Sequence, residues 1–129
     1  MIKLTFCVKR LPHLTRAEFD QYWNNTHAEL VTKHAEALKI RRYVQVPLLE
    51  RPSAQKSIRL SRGSQEAEYD GVAELWWTSF EELAQAGNSP EGVLASKQLL
   101  EDEKRFIDLE NSSLWYGVER EIFNKNEQQ

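Results

Sequence analysis

The sequence has little of what stabilises a secreted or membrane-embedded chain. Cys7 is the only cysteine among 129 residues, so an intramolecular disulfide framework is excluded and a reducing compartment is favoured. No apolar run approaches the roughly 20 residues that a membrane-spanning helix needs. The first residues lack a positively charged stretch followed by an apolar core, which predicts mature structure and not a signal peptide. We therefore expect a cytoplasmic protein with no membrane partner.

Residues that bind metals are also scarce. The chain has three histidines, His13, His27 and His34, all near its start, and Met1 is its only methionine. No strong ligand lies three or four positions from His27, and the patterns H-E-x-x-H and C-x-x-C are absent. Without a histidine or methionine in the C-terminal half, the usual haem ligation is not available there. The sequence predicts no metal site and no bound cofactor.

Positive charge is in short supply as well, whereas aromatic rings are plentiful. Seventeen Lys and Arg residues stand against 20 Asp and Glu, a formal net charge of −3. Because nucleic-acid binding needs a basic surface, we expect no nucleic-acid partner. Four Trp, four Tyr and five Phe are enough to build a core and to line a pocket. The length predicts one domain, residues 1–129.

Hydrophobic patterning predicts alternating strands and helices. Alternation with a period of two predicts strands at 2–9 and 40–49, a near-continuous apolar run predicts one at 71–77, and the last strand is predicted at 114–123. Spacings of three and four predict helices over 16–38, 80–86 and 89–107. The first helix begins at a Thr15–Glu18 capping box, and a second box at Thr26–Glu29 favours a break near Asn24–Thr26. Residues 50–70 lack periodicity and are predicted to form a long loop, and residues 124–129 are predicted to fray.

This order of elements predicts an α+β, ferredoxin-like fold, βαββαβ, with a four-stranded antiparallel sheet and helices on one face. Both sides of the third strand carry large apolar groups, because Val72 and Trp76 alternate with Leu75 and Trp77. The helices can cover only one of these faces. We therefore expect a homodimer in which two chains pack sheet to sheet.

His27 is the first candidate for chemistry. It lies on the apolar stripe of the first helix, and an imidazole can donate and accept protons near neutral pH. The alternative is a core histidine bonded to the backbone. We expect His34 to be structural and His13 to lie in a loop.

A carboxylate on the last helix is the second candidate. Glu103 lies between Leu99 and Phe106 on an apolar stripe and therefore needs a partner. The partner could be a Lys or Arg, or it could be His27, whose tautomer the carboxylate would fix. Asp102 and Asp108 are alternatives to Glu103, although Asp108 could simply begin the following turn. Glu74, in the third strand, could also face a cavity.

Aromatic side chains are the candidates for contacts with a ligand. Most of the rings should be core, and a minority could line a pocket between helices and sheet that holds a small hydrophobic molecule. The candidate substrate-binding residues are Tyr22, Trp23, Tyr43, Trp76 and Trp77.

Three segments together resemble the EthD family: Tyr22–His27, Tyr69–Trp77 and Asp102–Asp108. The resemblance extends from residue 2 to about residue 120. It implies a dimeric α+β barrel, with His27 as the polar pocket residue and Glu103 and Asp108 as acidic motif positions. One departure is Glu29, where many relatives have proline.

The resemblance also implies a function. The family takes its name from a protein of ethyl tert-butyl ether degradation that is encoded with a cytochrome P450 system. Similar barrels include cofactor-free monooxygenases, polyketide cyclases, dehydratases and muconolactone isomerases. The expectation is a small cofactor-free enzyme that uses acid–base chemistry on an apolar or aromatic metabolite. The alternative is an accessory protein that carries a hydrophobic intermediate for an oxidase system.

Overall fold

Four strands form one antiparallel sheet in a computed structural model that describes residues 1–128. They are β1 (Ile2–Val8), β2 (Arg42–Pro47), β3 (Gly71–Trp77) and β4 (Ser113–Val118). The strand order is β2-β3-β1-β4, and every neighbouring pair is antiparallel. With helices between β1 and β2 and between β3 and β4, this is the ferredoxin-like α+β fold that the sequence predicted.

Five α-helices accompany the sheet in this part of the chain. They are α1 (Arg16–Tyr22), α2 (Ala28–His34), α3 (Pro52–Arg62), α4 (Phe80–Asn88) and α5 (Pro90–Glu103). A π-helical segment, Trp23–His27, joins α1 to α2. Short 3₁₀ turns lie at Leu109–Asn111 and Lys125–Gln128. None of the described helices is long and apolar enough to cross a membrane.

The first helical region starts as predicted and continues differently. The Thr15 hydroxyl accepts from the backbone N–H of Glu18, whose carboxylate accepts from the backbone N–H of Thr15, so the capping box is confirmed. The second box does not form, because the backbone stays helical through the π-helical segment. That segment buries both Trp23 and His27. Single π turns within helices are frequent at functional sites.

The predicted loop over residues 50–70 is wrong for half of its length, because α3 occupies Pro52–Arg62. None of the helix's residues is buried, and its apolar residues Ile58 and Leu60 are exposed, so it lacks the buried apolar stripe that marks the other helices. Its signals are at its ends instead. Pro52 occupies the first turn, and Gly63, at φ +61°, forms the left-handed cap.

The ends of β4 and α5 also differ from the predicted ends, because backbone pairing with other segments sets them. β4 ends at Val118 and not at residue 123, since its partner strand β1 begins opposite it at Ile2. α5 ends at Glu103 and not at residue 107, because Ile107 leaves the helix to bridge with Arg10. In the predicted frayed end, residues 125–128 form a 3₁₀ turn, and Gln129 lies outside the described residues.

The two faces of the sheet differ in character. Phe6, Val8 and Ala73 lie on the face that the helices cover and belong to the main core cluster. On the opposite face Trp76 is only 3% exposed, because Lys3 and Arg42 lie over its ring, 5.0 and 4.5 Å from the centroid.

This second face carries more charge than the strand patterns suggested. Glu74 faces away from the helices and pairs there with Lys3 at 2.5 Å, so it does not reach a cavity beneath them. Trp115, on β4, is 52% exposed.

Candidate functional site

A cavity of about 510 Å³ lies between the helices and the sheet. Its walls are largely apolar and come from both layers. They include Leu4, Phe6, Val31, Leu75, Trp77 and Leu99. The polar groups that reach it include His27, Tyr43 and Glu103. A mostly apolar pocket with a few convergent polar groups is the usual form of a small-molecule site.

His27 is held firmly at the wall of this cavity. It ends the π-helical segment, is 5% exposed, and its ring centroid lies 4.9 Å from that of Phe106. Its Nδ1 lies 2.8 Å from Oδ2 of Asp102. A carboxylate accepts hydrogen bonds, so Nδ1 carries the proton and Nε2 remains an acceptor. Burial lowers the pKa of His27, and the hydrogen bond to Asp102 partly opposes this effect. The imidazole is therefore neutral at pH 7 and able to accept a proton.

Asp102 is the partner of His27, in place of the Glu103 that the spacing first suggested. It is 6% exposed, and its two oxygens serve two different neighbours. Oδ2 accepts from His27, and Oδ1 accepts from the Tyr22 hydroxyl at 2.5 Å. Burial, together with the hydrogen bond to Asp102, raises the pKa of Tyr22. The carboxylate thus connects α1, the π-helical segment and α5.

Glu103 is the next residue along α5 and lines the cavity. Its side chain has no hydrogen bond or ion pair within residues 1–128, so neither expected partner is present. Burial, with a smaller effect of the nearby negative charge of Asp102, raises the pKa of Glu103 to about 7. Near neutral pH its protonated and ionised forms are therefore both populated, which suits a group that gives and takes protons.

The aromatic side chains at the cavity are held by polar contacts. Nε2 of Gln45 donates to the hydroxyl of Tyr43 at 2.7 Å and to the carbonyl of Trp23 at 2.8 Å. Burial raises the pKa of Tyr43, which keeps its hydroxyl protonated at neutral pH. Nε1 of Trp77 donates to the carbonyl of Leu38 at 2.8 Å. Tyr43 and Trp77 thus supply fixed ring surfaces to the cavity, and the ring of Trp23, packed 5.3 Å from that of Phe19, also lines it.

Three candidate residues are not brought to this cavity. Trp76 points to the opposite sheet face, because neighbouring residues in a strand alternate in direction. The Tyr22 hydroxyl is occupied by Asp102 behind His27. Asp108 begins the turn after α5, where its Oδ2 accepts from Nδ2 of Asn111 at 2.8 Å and its N–H donates to the carbonyl of Lys9. The structure therefore places these three residues outside the cavity lining, although the sequence had suggested that they bind a ligand or act on it there.

Metal-binding geometry is not found in the part of the chain that the structure describes. Within it, no group of three or more His, Cys, Asp or Glu side chains is arranged to hold a metal ion. His27 has Asp102 beside it, but no third ligand joins them.

Comparisons with known proteins agree with this architecture. The sequence matches the EthD domain over residues 11–110. No curated protein matches it at the level at which a relationship is accepted. An EthD family protein from Bacillus halodurans has a similar structure, with 22% identity, a TM-score of 0.59, and coverage of 93% of this chain and 100% of the other.

Two more distant proteins share the fold. A hydroxynitrile lyase from Passiflora edulis is 10% identical, with a TM-score of 0.59 and coverage of 95% of this chain and 96% of the other. A dimeric ferredoxin-like protein of unknown function from Bacteroides fragilis is 10% identical, with a TM-score of 0.54 and coverage of 92% and 95%. At these identities the similarity concerns the fold alone.

Proposed function

The chain belongs to the EthD family, and we propose that it is a small enzyme in which His27 and Glu103 move protons on an apolar or aromatic metabolite. The observation that carries this proposal is the pair of groups in one apolar cavity. One is a neutral imidazole whose Nδ1 is held by Asp102, which leaves Nε2 as the nitrogen that accepts a proton, and the other is a carboxyl group whose pKa is about 7. Enzymes tune acids and bases toward neutral pH in this way.

The chemistry that suits this pair is proton abstraction next to a carbonyl. Nε2 of His27 takes the proton from carbon, and the C–H electron pair moves into the enol as the carbonyl oxygen accepts the proton of Glu103. Asp102 stabilises the imidazolium that forms, since its carboxylate already accepts from Nδ1. Return of the protons to different atoms gives an isomerisation, and loss of a leaving group gives a lyase reaction. Neither step requires a cofactor.

The lining favours a neutral ligand. No Lys or Arg is among the cavity residues that the structure describes. A carboxylate or phosphate buried there would have no cation to offset its lost hydration. An aromatic or otherwise apolar carbonyl compound fits these walls, and a degradation or polyketide-type pathway, ether degradation included, would supply such a compound. The fold is also that of a lyase in Passiflora edulis.

We further propose a cytoplasmic homodimer joined through the sheet faces. Two tryptophans lie on the sheet face that the helices leave open: Trp115, which is exposed, and Trp76, whose ring is covered by the Arg42 guanidinium. The dimeric Bacteroides fragilis protein has the same fold. Size-exclusion chromatography with light scattering would measure the mass directly.

A carrier protein is the second candidate function. The largely apolar lining of the cavity favours it. So do two of the lining residues, Phe80 and Tyr116, because their side chains are more than half exposed to solvent. Such a protein would bind a hydrophobic intermediate for an oxidase system without changing it.

Deuterium exchange separates the two functions without knowledge of the natural substrate. A panel of neutral aromatic ketones is incubated with the protein in D₂O, and NMR measures deuterium at the carbon next to the carbonyl. We expect exchange in the wild type, and a loss of about 100-fold or more in His27→Ala and Glu103→Gln. Glu101→Gln, an exposed position on the same helix, is the matched control. Binding of the ketones with no exchange above that of His27→Ala would favour the carrier.

A further inference from the structure

We propose that Tyr22 is a positioning residue that acts on His27 through Asp102, from outside the cavity. This inference rests on the proposed function, in which His27 moves the proton. Tyr22 lies on α1 and Asp102 on α5, so their hydrogen bond ties together two helices that flank the histidine. The two contacts, 2.5 Å from Tyr22 and 2.8 Å to His27, use one oxygen of Asp102 each.

The packing places Tyr22 behind the reacting group. Its ring lies 5.0 Å from that of Phe106, and the His27 ring lies 4.9 Å from the same phenyl group. Phe106 is fully buried, so it keeps the relative positions of both rings fixed. Tyr22 is not among the cavity-lining residues. Its hydroxyl therefore influences a ligand only through the carboxylate that it holds.

Asp102 also lines a groove on the outer side of the helix layer. The other charged residues that line this groove are Glu29, Lys33, Lys97, Glu101 and Arg105. Nη1 of Arg105 lies 4.0 Å from Oδ1 of Asp102, but the Arg105 side chain is largely exposed, so water screens its attraction. The network thus meets solvent on the side away from the cavity.

The hydroxyl of Tyr22 has a definite electrostatic effect. By donating to Oδ1, it shares the negative charge that would otherwise act on His27 alone. Removing the hydroxyl while keeping the ring leaves Asp102 a stronger partner for the imidazolium. Tyr22→Phe should therefore raise the pKa of His27 by roughly 0.5 to 1 unit. Asp102→Asn should lower it, since burial then acts without the opposing charge.

NMR titration of the histidine side chains in the unliganded protein tests this inference. The signals of His13 and His34 serve as internal references, and Tyr69→Phe is a matched control. We expect a higher pKa for His27 alone in Tyr22→Phe, and ¹⁵N shifts that report the Nδ1–H tautomer in the wild type. An unchanged His27 pKa in a folded Tyr22→Phe protein would overturn the proposal.

A second variant keeps the test decisive if Tyr22→Phe does not fold. In Asp102→Asn the phenol of Tyr22 loses its charged acceptor, so its pKa should fall, as measured by ultraviolet absorbance against pH. An unchanged Tyr22 titration would show that the two residues are not coupled. Because these measurements need no substrate, a coupled Tyr22 without deuterium exchange would contradict the proposed function alone.

Discussion

Two carboxylates in this molecule, Asp70, which is buried, and Glu103, which is partly buried, have opposite surroundings. Asp70 is 5% exposed. Its carboxylate accepts hydrogen bonds from the backbone N–H of Arg10 at 2.8 Å, from the Arg10 guanidinium, and from Nε of Arg16 at 3.2 Å. Glu103 faces the cavity, and the described residues give its side chain no such partner. One carboxylate joins the end of β1 to the start of β3 and to α1, and the other lies beside open space.

This difference distinguishes a carboxylate that stabilises the fold from one that serves the proposed chemistry. A buried ion with several donors holds elements together, and Asp70 fits that description. A buried carboxyl group without donors costs folding free energy whenever it ionises, so a fold retains such a group only where another benefit offsets the cost. In the proposed reaction that benefit is a proton donor with a pKa near 7.

The largest expected effect is on how stability depends on pH. Glu103 has its pKa raised from 4.5 to about 7 in the folded state, so the folded protein binds more protons than the unfolded chain between these values. Stability is therefore full below about pH 4.5 and is lost as pH rises through 7, by at most about 3 kcal/mol. Glu103→Gln should remove this loss.

Urea unfolding of the wild type and Glu103→Gln from pH 4 to pH 8 measures the difference. The two proteins should be equally stable at pH 4, and the variant should be more stable at pH 8. The comparison isolates Glu103, because His27, whose lowered pKa costs stability in acid, is present in both proteins. Parallel stability curves would mean that Glu103 titrates normally.

The next effect concerns Asp70. Asp70→Ala should lower the free energy of unfolding by about 2 kcal/mol at pH 7, because the backbone N–H of Arg10 and two guanidinium groups lose their acceptor. The partly exposed arginines can turn to water, which keeps the loss below that of a fully buried pair. Glu110→Gln, at an exposed position, is the control. Deuterium exchange per folded molecule should not change, and a loss of exchange would place Asp70 in the chemistry.

The sequence predicted the fold from a few strong local signals. β3 was placed correctly at 71–77 because its apolar run is bounded by Gly71 and Ser79. The helix start at Thr15 followed from its capping box. α3 was missed because it buries no face, and only its terminal Pro52 and Gly63 indicate a helix.

The site was harder to predict because adjacent residues compete for one position. Asp102 and Glu103 are separated by about 100° around the helix axis. The packing of Leu99 and Phe106 decides which of them meets His27, and spacing alone cannot rank them. The same holds for Trp76 and Trp77, since alternation says that they face opposite ways but not which face the helices cover.

The smallest expected effect involves a third carboxylate, Glu74, on the open sheet face. Its contact with Lys3 is close, but both side chains are about one-quarter exposed. Such pairs contribute roughly 0 to 1 kcal/mol, so Glu74→Gln should cost less than 1 kcal/mol in dilute solution. If two chains pack through this face, the pair loses its water and the cost rises with protein concentration. Thermal unfolding of both proteins at low and high concentration measures this change, and a cost that is independent of concentration would contradict a dimer through this face.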